Sequence, residues 1–136
     1  MVNSKDFGEL IGNFMQFIEQ LPIACPEADA VSHEGTVYRL VSDEPCELDF
    51  LSQRYLYPKK VFNATDCRAR SLSVFTDFEA AKCLLGLPAH ANKKVAAVEL
   101  TQHAGLVKKT GKGPHHLSWW RASNFVVLDA IKEATS

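Results

Sequence analysis

Two adjacent histidines, His115 and His116, carry the most versatile chemistry in this sequence, and a serine, two tryptophans and an arginine follow them within residues 115–121. An imidazole can give or take a proton near neutral pH, and an indole ring can pack on a ligand. If residues 116–120 form a strand, the two histidines point to opposite faces. We therefore expect at most one histidine, with His116 as the candidate, to enter a given pocket; the alternative is an edge-strand histidine with a satisfied hydrogen bond. Because no second histidine lies at metal-ligand spacing, we expect no metal site.

A strand-to-helix junction within residues 70–88 is the best candidate site for an anion. A short β-type run leads to Thr76, which with Glu79 has the spacing of a capping box, and Gly86 followed by Pro88 forms a stop signal. Such a junction directs main-chain N–H groups and the positive end of a helix dipole toward one place. That arrangement suits a phosphate or a carboxylate.

An arginine, Arg39, interrupts an apolar β-type run at residues 36–41. Its side chain either extends to solvent along its aliphatic stem or is held in place to bind an anion with two hydrogen bonds. Both readings stay open on the sequence alone.

The net charge of −1 hides an uneven distribution, because residues 1–55 contain 3 basic and 10 acidic side chains whereas residues 56–112 contain 10 basic and 4 acidic ones. This asymmetry indicates a basic surface for phosphate-bearing molecules, self-complementary packing and dimerisation, or simply two solvated faces. The candidate basic surface consists of Lys59, Lys60, Arg68, Arg70, Lys108, Lys109 and Lys112.

The glycine-rich stretch at residues 105–113 is similar to a phosphate-binding loop, but it departs from that motif in two ways. Five residues separate Gly105 from Gly111, and neither serine nor threonine follows Lys112. The stretch also joins two predicted strands, whereas a phosphate-binding loop must lead into a helix. We therefore expect a mobile basic hairpin turn here.

The cysteines Cys25, Cys46, Cys67 and Cys83 have the spacing of neither a zinc site nor a compact disulfide scaffold. We expect four free thiols, mostly buried. Only Cys67, in a basic segment, has an electropositive setting that could activate a thiolate. The first residues lack the basic stretch and apolar core of a signal peptide, and no apolar run is long enough to span a membrane, so we expect a cytoplasmic location.

The hydrophobic pattern predicts one α+β domain over residues 1–136, with a largely antiparallel sheet, an N-terminal amphipathic helix and two shorter helices. Within the N-terminal segment 1–21, residues 7–21 form the predicted helix, whose apolar stripe either packs on the core or forms a dimerisation face. The two shorter helices follow residue 42 and residue 76. The strands of the α+β body at 36–131 are predicted at 36–41, 72–75, 94–100, 106–109, 116–120 and 124–131.

Tyr38 and Arg39 in the first strand, the serine-containing run at 71–76 before a helix, and the series of short strands after it resemble the layout of ADP-ribosyltransferase-like domains over residues 35–131. The resemblance implies that Arg39 contacts the phosphates or the nicotinamide-ribose side of NAD. It also implies that Ser71 or Ser73 supports the nicotinamide pocket.

The same resemblance implies that Trp119 or Trp120 stacks on a ring of the ligand and that a later glutamate stabilises the transition state. No acidic residue occurs at 115–124, where that glutamate is expected. Glu99 and Asp129 lie in neighbouring predicted strands but do not form an E-x-E pattern. Three explanations stay open: the strand register differs from that of the family, a histidine takes the place of the glutamate, or the domain binds a nucleotide-like ligand without transferase activity.

These observations favour a binding or interaction module, with an ADP-ribosyltransferase-like enzyme or inactive relative as the alternative, and leave enzymatic activity open. We expect no cofactor, except NAD under the alternative. The expected partner is an anionic ligand or an acidic protein surface, with a homodimer as a further option. Nucleic acid is less favoured, since the chain is slightly acidic and carries no nucleic-acid-binding motif. The candidate ligand-binding residues are Arg39, Ser71, Ser73, Thr76, His116 and Trp119.

Overall fold

A computed structural model describes residues 15–133 and contains a six-stranded antiparallel sheet with a few short helices, consistent with the predicted α+β class. The strands are β1 (Gly35–Ser42), β2 (Leu72–Phe75), β3 (Lys93–Leu100), β4 (Gly105–Lys109), β5 (His116–Arg121) and β6 (Ile131–Glu133). The α-helices are α1 (Gln53–Leu56), α2 (Asp66–Ala69) and α3 (Phe78–Cys83). Short 3₁₀-helices occupy Glu47–Phe50, Leu84–Gly86, Pro88–His90 and Val127–Ala130. The sheet order is β4-β5-β2-β1-β3-β6.

One face of the sheet forms the hydrophobic core. Along β1, Val37 and Val41 are fully buried, and they face the same side because side chains alternate along a strand. Phe50 and Val127, from two of the 3₁₀-helices, cover this face and are also fully buried. The opposite face carries α3, which packs against β1, β2 and β3, with the ring of Phe78 edge-on to that of Tyr38.

An ion pair between buried Arg121 and exposed Glu47 anchors the first 3₁₀-helix to the end of β5. Arg121, which is 4% exposed, donates to both carboxylate oxygens of Glu47 at 2.8 and 3.0 Å and to the carbonyl of Phe50 at 3.3 Å. The hydrogen bond from Arg121 lowers the pKa of Glu47, although burial opposes the shift. The charge of Arg121 is thus compensated where it is buried, as a buried cation requires.

The predicted N-terminal helix is wrong over the residues that the structure describes. Residues 15–21 contain no helix; Phe17 instead forms a β-bridge with Ala122, and the N–H of Ile18 donates to the carbonyl of Arg121. Pairing with the end of β5 satisfies the main chain and overrides the helical spacing of the apolar residues. Residues 7–14 of the predicted helix, and most of its proposed dimerisation face, lie outside the described residues.

The expectation of four free, mostly buried thiols is also wrong. Cys25 and Cys67, 42 residues apart, form a disulfide with a Cα–Cα distance of 5.6 Å, while Cys46 and Cys83 are free and exposed. The hypothesis of a reactive Cys67 thiolate therefore fails. Disulfides are more common in oxidising compartments than in the cytosol. The compartment itself is not shown by the structure, and the cytoplasmic location stays a prediction. No helix among the described residues is long and apolar enough to cross a membrane.

Two further boundaries differ from the sequence prediction. The helix expected after residue 42 is broken into the 3₁₀-helix Glu47–Phe50 and the single turn α1. The last predicted strand, 124–131, is mostly a loop and the 3₁₀-helix Val127–Ala130, and pairing begins only at Ile131. The burial of Val127 against the core, away from the sheet ladder, explains its apolar character.

Removing the disulfide should destabilise the protein. We expect the double variant Cys25→Ala/Cys67→Ala to lose about 2–4 kcal/mol of unfolding free energy, because the unfolded chain regains the freedom of a long loop. Urea unfolding followed by circular dichroism measures this loss. The matched variant Cys46→Ala/Cys83→Ala should stay within about 0.5 kcal/mol of the parent, since those side chains are exposed. Four titratable thiols in the unreduced, denatured protein would contradict the assignment.

Gly105, the first residue of β4, has φ of +127° and lies directly against β5. A Cβ at this position would lie 2.0 Å from the carbonyl oxygen of Trp120. We expect Gly105→Ala to cost about 3 kcal/mol or more, because it combines a disfavoured main-chain conformation with a main-chain clash. Gly86→Ala is the control, since a Cβ there meets open space. Equal melting temperatures for the two variants would refute this reading.

Candidate functional site

A cavity of about 800 Å³ opens where β1 and β2 separate. These two strands share a single register pair, Tyr38 with Phe75, whereas β1 and β3 pair along their whole length. The hairpin loop between β4 and β5 and the segment after α3 complete the walls. The lining residues are Arg39, Leu40, Ser52, Gln53, Tyr57, Lys60, Ser71, Leu72, Ser73, Phe75, Ala80, Leu84, Ala89, His90, Lys93, Gly111, Lys112, Gly113, Pro114, His115 and His116.

The cavity is strongly biased toward positive charge. Its lining includes one arginine, three lysines and three histidines, and none of its lining residues is an aspartate or a glutamate. The chain as a whole has a net charge of −1, so this bias is local. A concave site with one sign of charge concentrates ligands of the opposite sign.

Arg39 lies at the point where the two strands separate. Its Nε donates to the carbonyl of Asp49 at 2.8 Å and its Nη1 donates to the carbonyl of Ser73 at 2.7 Å, while the guanidinium stands 5.8 Å from the centre of the Phe50 ring. Burial lowers the pKa of Arg39 to about 10, against the opposing effect of the Asp49 carboxylate, so the side chain stays charged at neutral pH. Among the described residues, Arg39 forms no salt bridge and its Nη2 has no hydrogen-bond partner. The two N–H groups of Nη2 are therefore not used by any described protein group.

His116, the first residue of β5, is held at both ring nitrogens. Its Nε2 lies 3.0 Å from Oγ of Ser73, and its Nδ1 lies 3.1 Å from the carbonyl oxygen and 3.0 Å from Oγ1 of Thr110. The first contact follows from strand register, because Ser73 on β2 and His116 on β5 lie on the same face of adjacent strands. The structure thus brings four of the predicted ligand-binding residues to one cavity: Arg39, Ser71, Ser73 and His116.

His115 lines the same cavity, contrary to the expectation that only one histidine would do so. It precedes β5 in the hairpin loop, so strand alternation does not separate it from His116. Thr76 holds it there: the N–H of Thr76 donates to the carbonyl of His115 at 2.9 Å, and Oγ1 lies 3.2 Å from Nδ1. Thr76 itself is not among the lining residues. The predicted cap of the following helix is wrong by one residue, since Asp77 accepts the N–H of Ala80.

Trp119 is not available to a ligand as the resemblance implied. Its side chain is fully buried in the core, its Nε1 donates to the carbonyl of Ala104 at 3.0 Å, and its ring is edge-on to Phe125. Trp120 is 1% exposed and donates to the carbonyl of Cys67 at 2.8 Å. Large apolar side chains gain the most free energy from full burial. On a sheet that is covered on both faces, the alternating pattern does not reveal that both tryptophans are buried.

The seven predicted basic residues do not act as one surface. Arg68 forms two 3.1 Å hydrogen bonds to Glu27, and Lys108 contacts Glu27 at 2.9 Å and Asp29 at 3.1 Å. Arg70 pairs with Asp66 at 3.3 Å and lies 3.6 Å from Glu19. Lys59 and Lys109 are exposed away from the cavity lining, and only Lys60 and Lys112 belong to it.

Sequence reasoning missed Lys93, His90 and Tyr57, which also line the cavity. Tyr57 lies far along the chain from His90 and Lys93, and the three share no motif, so no spacing signal could have grouped them. Burial, followed by the charge of Lys93, lowers the pKa of His90. Among the described residues, no group of three or more histidines, cysteines or carboxylates is placed to hold a metal ion.

No family model, curated protein or solved structure matches the chain.

The carboxylate of Asp49 should stabilise the fold in a pH-dependent way. Partial burial acts to raise its pKa, but hydrogen bonds from the N–H of Cys46 and from Ser42 hold the pKa below its ordinary value of 3.8. A lowered folded-state pKa means that the carboxylate stabilises the fold above about pH 4 and loses this contribution as the pH falls through the folded pKa. We expect Asp49→Asn to lower the melting temperature at pH 7 and the difference to shrink at pH 3. The control is Asp43→Asn, at an exposed neighbouring position.

Proposed function

We propose that this protein binds a small anionic ligand in the cavity between β1, β2 and the β4–β5 hairpin loop. The observation that carries the proposal is the set of cations around a concave site whose lining contains no carboxylate. Arg39 adds an oriented donor, because two main-chain carbonyls fix its guanidinium and leave Nη2 unpaired among the described residues. Anions with planar oxygen groups suit such a donor.

A small ligand is favoured over an acidic protein surface or a nucleic acid. Macromolecular anions are usually bound by a broad face of free cations, and here Arg68, Arg70 and Lys108 are already engaged by carboxylates. The remaining cations surround a cavity whose volume falls in the range typical of small-molecule sites, roughly 300–1,000 Å³.

The ligand is expected to carry an apolar or planar part as well as its charge. Leu40, Phe75, Ala80 and Leu84 form an apolar wall, and the half-exposed ring of Tyr57 stands at the lining near Lys60. A ligand with both parts, such as a nucleotide or an aromatic carboxylate, would use the whole cavity. Inorganic phosphate alone would use only its charged end.

Binding of NAD by an ADP-ribosyltransferase-like site is the second candidate. Its support is the meeting of Arg39, Ser71, Ser73 and His116, four of the residues proposed for the ligand, at one cavity. The lack of a carboxylate in the cavity lining argues against transferase chemistry. Glu99 accepts from Oγ1 of Thr36 at 2.7 Å, and it lines a different depression together with Asp129. We therefore favour ligand binding without group transfer.

Thermal-shift titrations with NAD, ADP-ribose, inorganic pyrophosphate and adenosine, at low and moderate salt, test the proposal. A ligand that binds the folded state raises the melting temperature. We expect the anionic compounds to stabilise the protein, with a smaller effect at higher salt, and the neutral adenosine to do so least. A short oligonucleotide tests the macromolecular alternative in the same assay. No shift with any anion would contradict the proposal.

Substitution of Arg39 should weaken this binding specifically. We expect Arg39→Met to reduce anion affinity by about tenfold or more, as for the loss of a charge-assisted hydrogen bond. Lys112→Ala, on the exposed hairpin loop, should reduce it several-fold without disturbing the core. Arg68→Met is the matched control, because Arg68 is paired with Glu27 outside the cavity lining. A larger loss from Arg68→Met than from Lys112→Ala would instead favour a broad basic face.

A further inference from the structure

We propose that Ser73 is a nucleophile activated by His116, and that the cavity cleaves esters whose acyl group carries a negative charge. The proposal deepens the anion-binding function and rests on it. Nucleophilic serines are recognised by a base within hydrogen-bond reach and by a third group that orients the base. All three parts are present here.

The hydroxyl of Ser73 meets the first requirement. Ser73 is exposed and lines the cavity, and its Oγ lies 3.0 Å from Nε2 of His116. The hydrogen bonds assign the tautomer of the imidazole: the carbonyl oxygen of Thr110, 3.1 Å from Nδ1, can only accept, so Nδ1 carries the proton. In the neutral ring, the Nε2 lone pair is then directed at the Ser73 hydroxyl.

Thr110 orients the base from a buried position. Thr110 is 7% exposed and Ser118 is 5% exposed, and their hydroxyl oxygens lie 2.8 Å apart. The N–H of Thr110 also donates to the carbonyl of His116 at 3.2 Å, which closes the end of the β4–β5 ladder. The imidazole is therefore fixed by a rigid part of the hairpin.

The other two serines that line the cavity lack this arrangement. The hydroxyl of Ser71 donates to the carbonyl of Arg68 at 2.7 Å, which directs its proton away from any base. The hydroxyl of Ser52 is buried and bonded to the Glu19 carboxylate. Only Ser73 combines exposure in the cavity with an oriented imidazole.

The reaction is balanced with the ester and water alone. Oγ of Ser73 attacks the ester carbonyl carbon as Nε2 of His116 takes the hydroxyl proton; the C–O bond to the alcohol then breaks, and His116 returns the proton to the departing oxygen. Water, deprotonated by His116, hydrolyses the acyl-serine and regenerates both residues.

The cations around the nucleophile define the substrate class. Arg39 donates to the main-chain carbonyl of Ser73, so a positive charge lies near the residue that carries the nucleophile. A charge there suits a reaction in which negative charge develops on the substrate. Lys60, Lys93 and Lys112 remain for a permanent carboxylate or phosphate on the acyl group. A neutral ester would leave these lysines unused.

A fluorophosphonate probe tests the nucleophile directly, because it forms an Oγ–P bond with loss of fluoride only at an activated serine. We expect one adduct by intact mass, assigned to Ser73 by peptide mapping and lost in Ser73→Ala. His116→Gln should slow labelling by about 100-fold or more, the usual contribution of a general base. Ser123→Ala, at an exposed serine outside the cavity, is the matched control.

Three results would overturn the proposal. They are no adduct, an adduct on another residue, or an unchanged labelling rate in a folded His116→Gln variant. The substrate class is tested by hydrolysis of 4-nitrophenyl hemisuccinate and 4-nitrophenyl butyrate, with kcat/KM about tenfold or more higher for the anionic ester, as one charge-assisted hydrogen bond implies; equal values would refute it. Anion binding by thermal shift on the same samples separates the two proposals, since binding without labelling defeats only this one.

Discussion

The guanidinium of Arg39 links β1 to two other parts of the molecule, β2 and the 3₁₀-helix Glu47–Phe50. It replaces the ladder between β1 and β2 just beyond their single register pair, and it does so through the carbonyls of Asp49 and Ser73. Arg39 is partly buried, and the two carbonyl oxygens accept from two of its nitrogens without neutralising its charge. Arg39 thus contacts both the 3₁₀-helix Glu47–Phe50 and β2, and it adds one positive charge to the lysines of the cavity.

The uneven charge distribution in the sequence is largely used inside the fold. Carboxylates from the acidic first part, Glu19, Glu27 and Glu47, pair with basic residues that come later in the chain, Arg70, Arg68 and Arg121. These pairs fasten the segment before β1 and the turn after it onto the sheet. Self-complementary packing therefore accounts for much of the asymmetry. Among the described residues, the lysines of the cavity, Lys60, Lys93 and Lys112, form no such pairs, so the site is cationic in a chain of net charge −1.

The hairpin loop between β4 and β5 links the strands of the sheet to residues of the candidate site. We predicted a mobile basic turn at this loop, and the structure shows hydrogen bonds at both of its ends. Thr76 bonds His115 at one side, and the buried pair of Thr110 and Ser118 orients His116 at the other. Lys112, between these anchors, is exposed. A loop fixed at its ends and charged at its tip is suited to closing one wall of a site around an anion.

The sequence by itself determined the features that depend on neighbouring residues. The alternating strands at β1, β2, β3, β4 and β5, the helix after residue 76 and the α+β class all follow from local spacing and propensity. The choice of Arg39 followed from its place in an apolar strand, and that of His116 from the adjacent pair of histidines, whereas Ser73 was proposed only from the resemblance. Only the tertiary structure decided which partners these residues meet. The disulfide of Cys25 and Cys67, the extended path of residues 15–21 and the burial of Trp119 depend on contacts between segments far apart in the chain. A local pattern carries no information on such contacts, because the free energy that selects them comes from burial and pairing across the sheet.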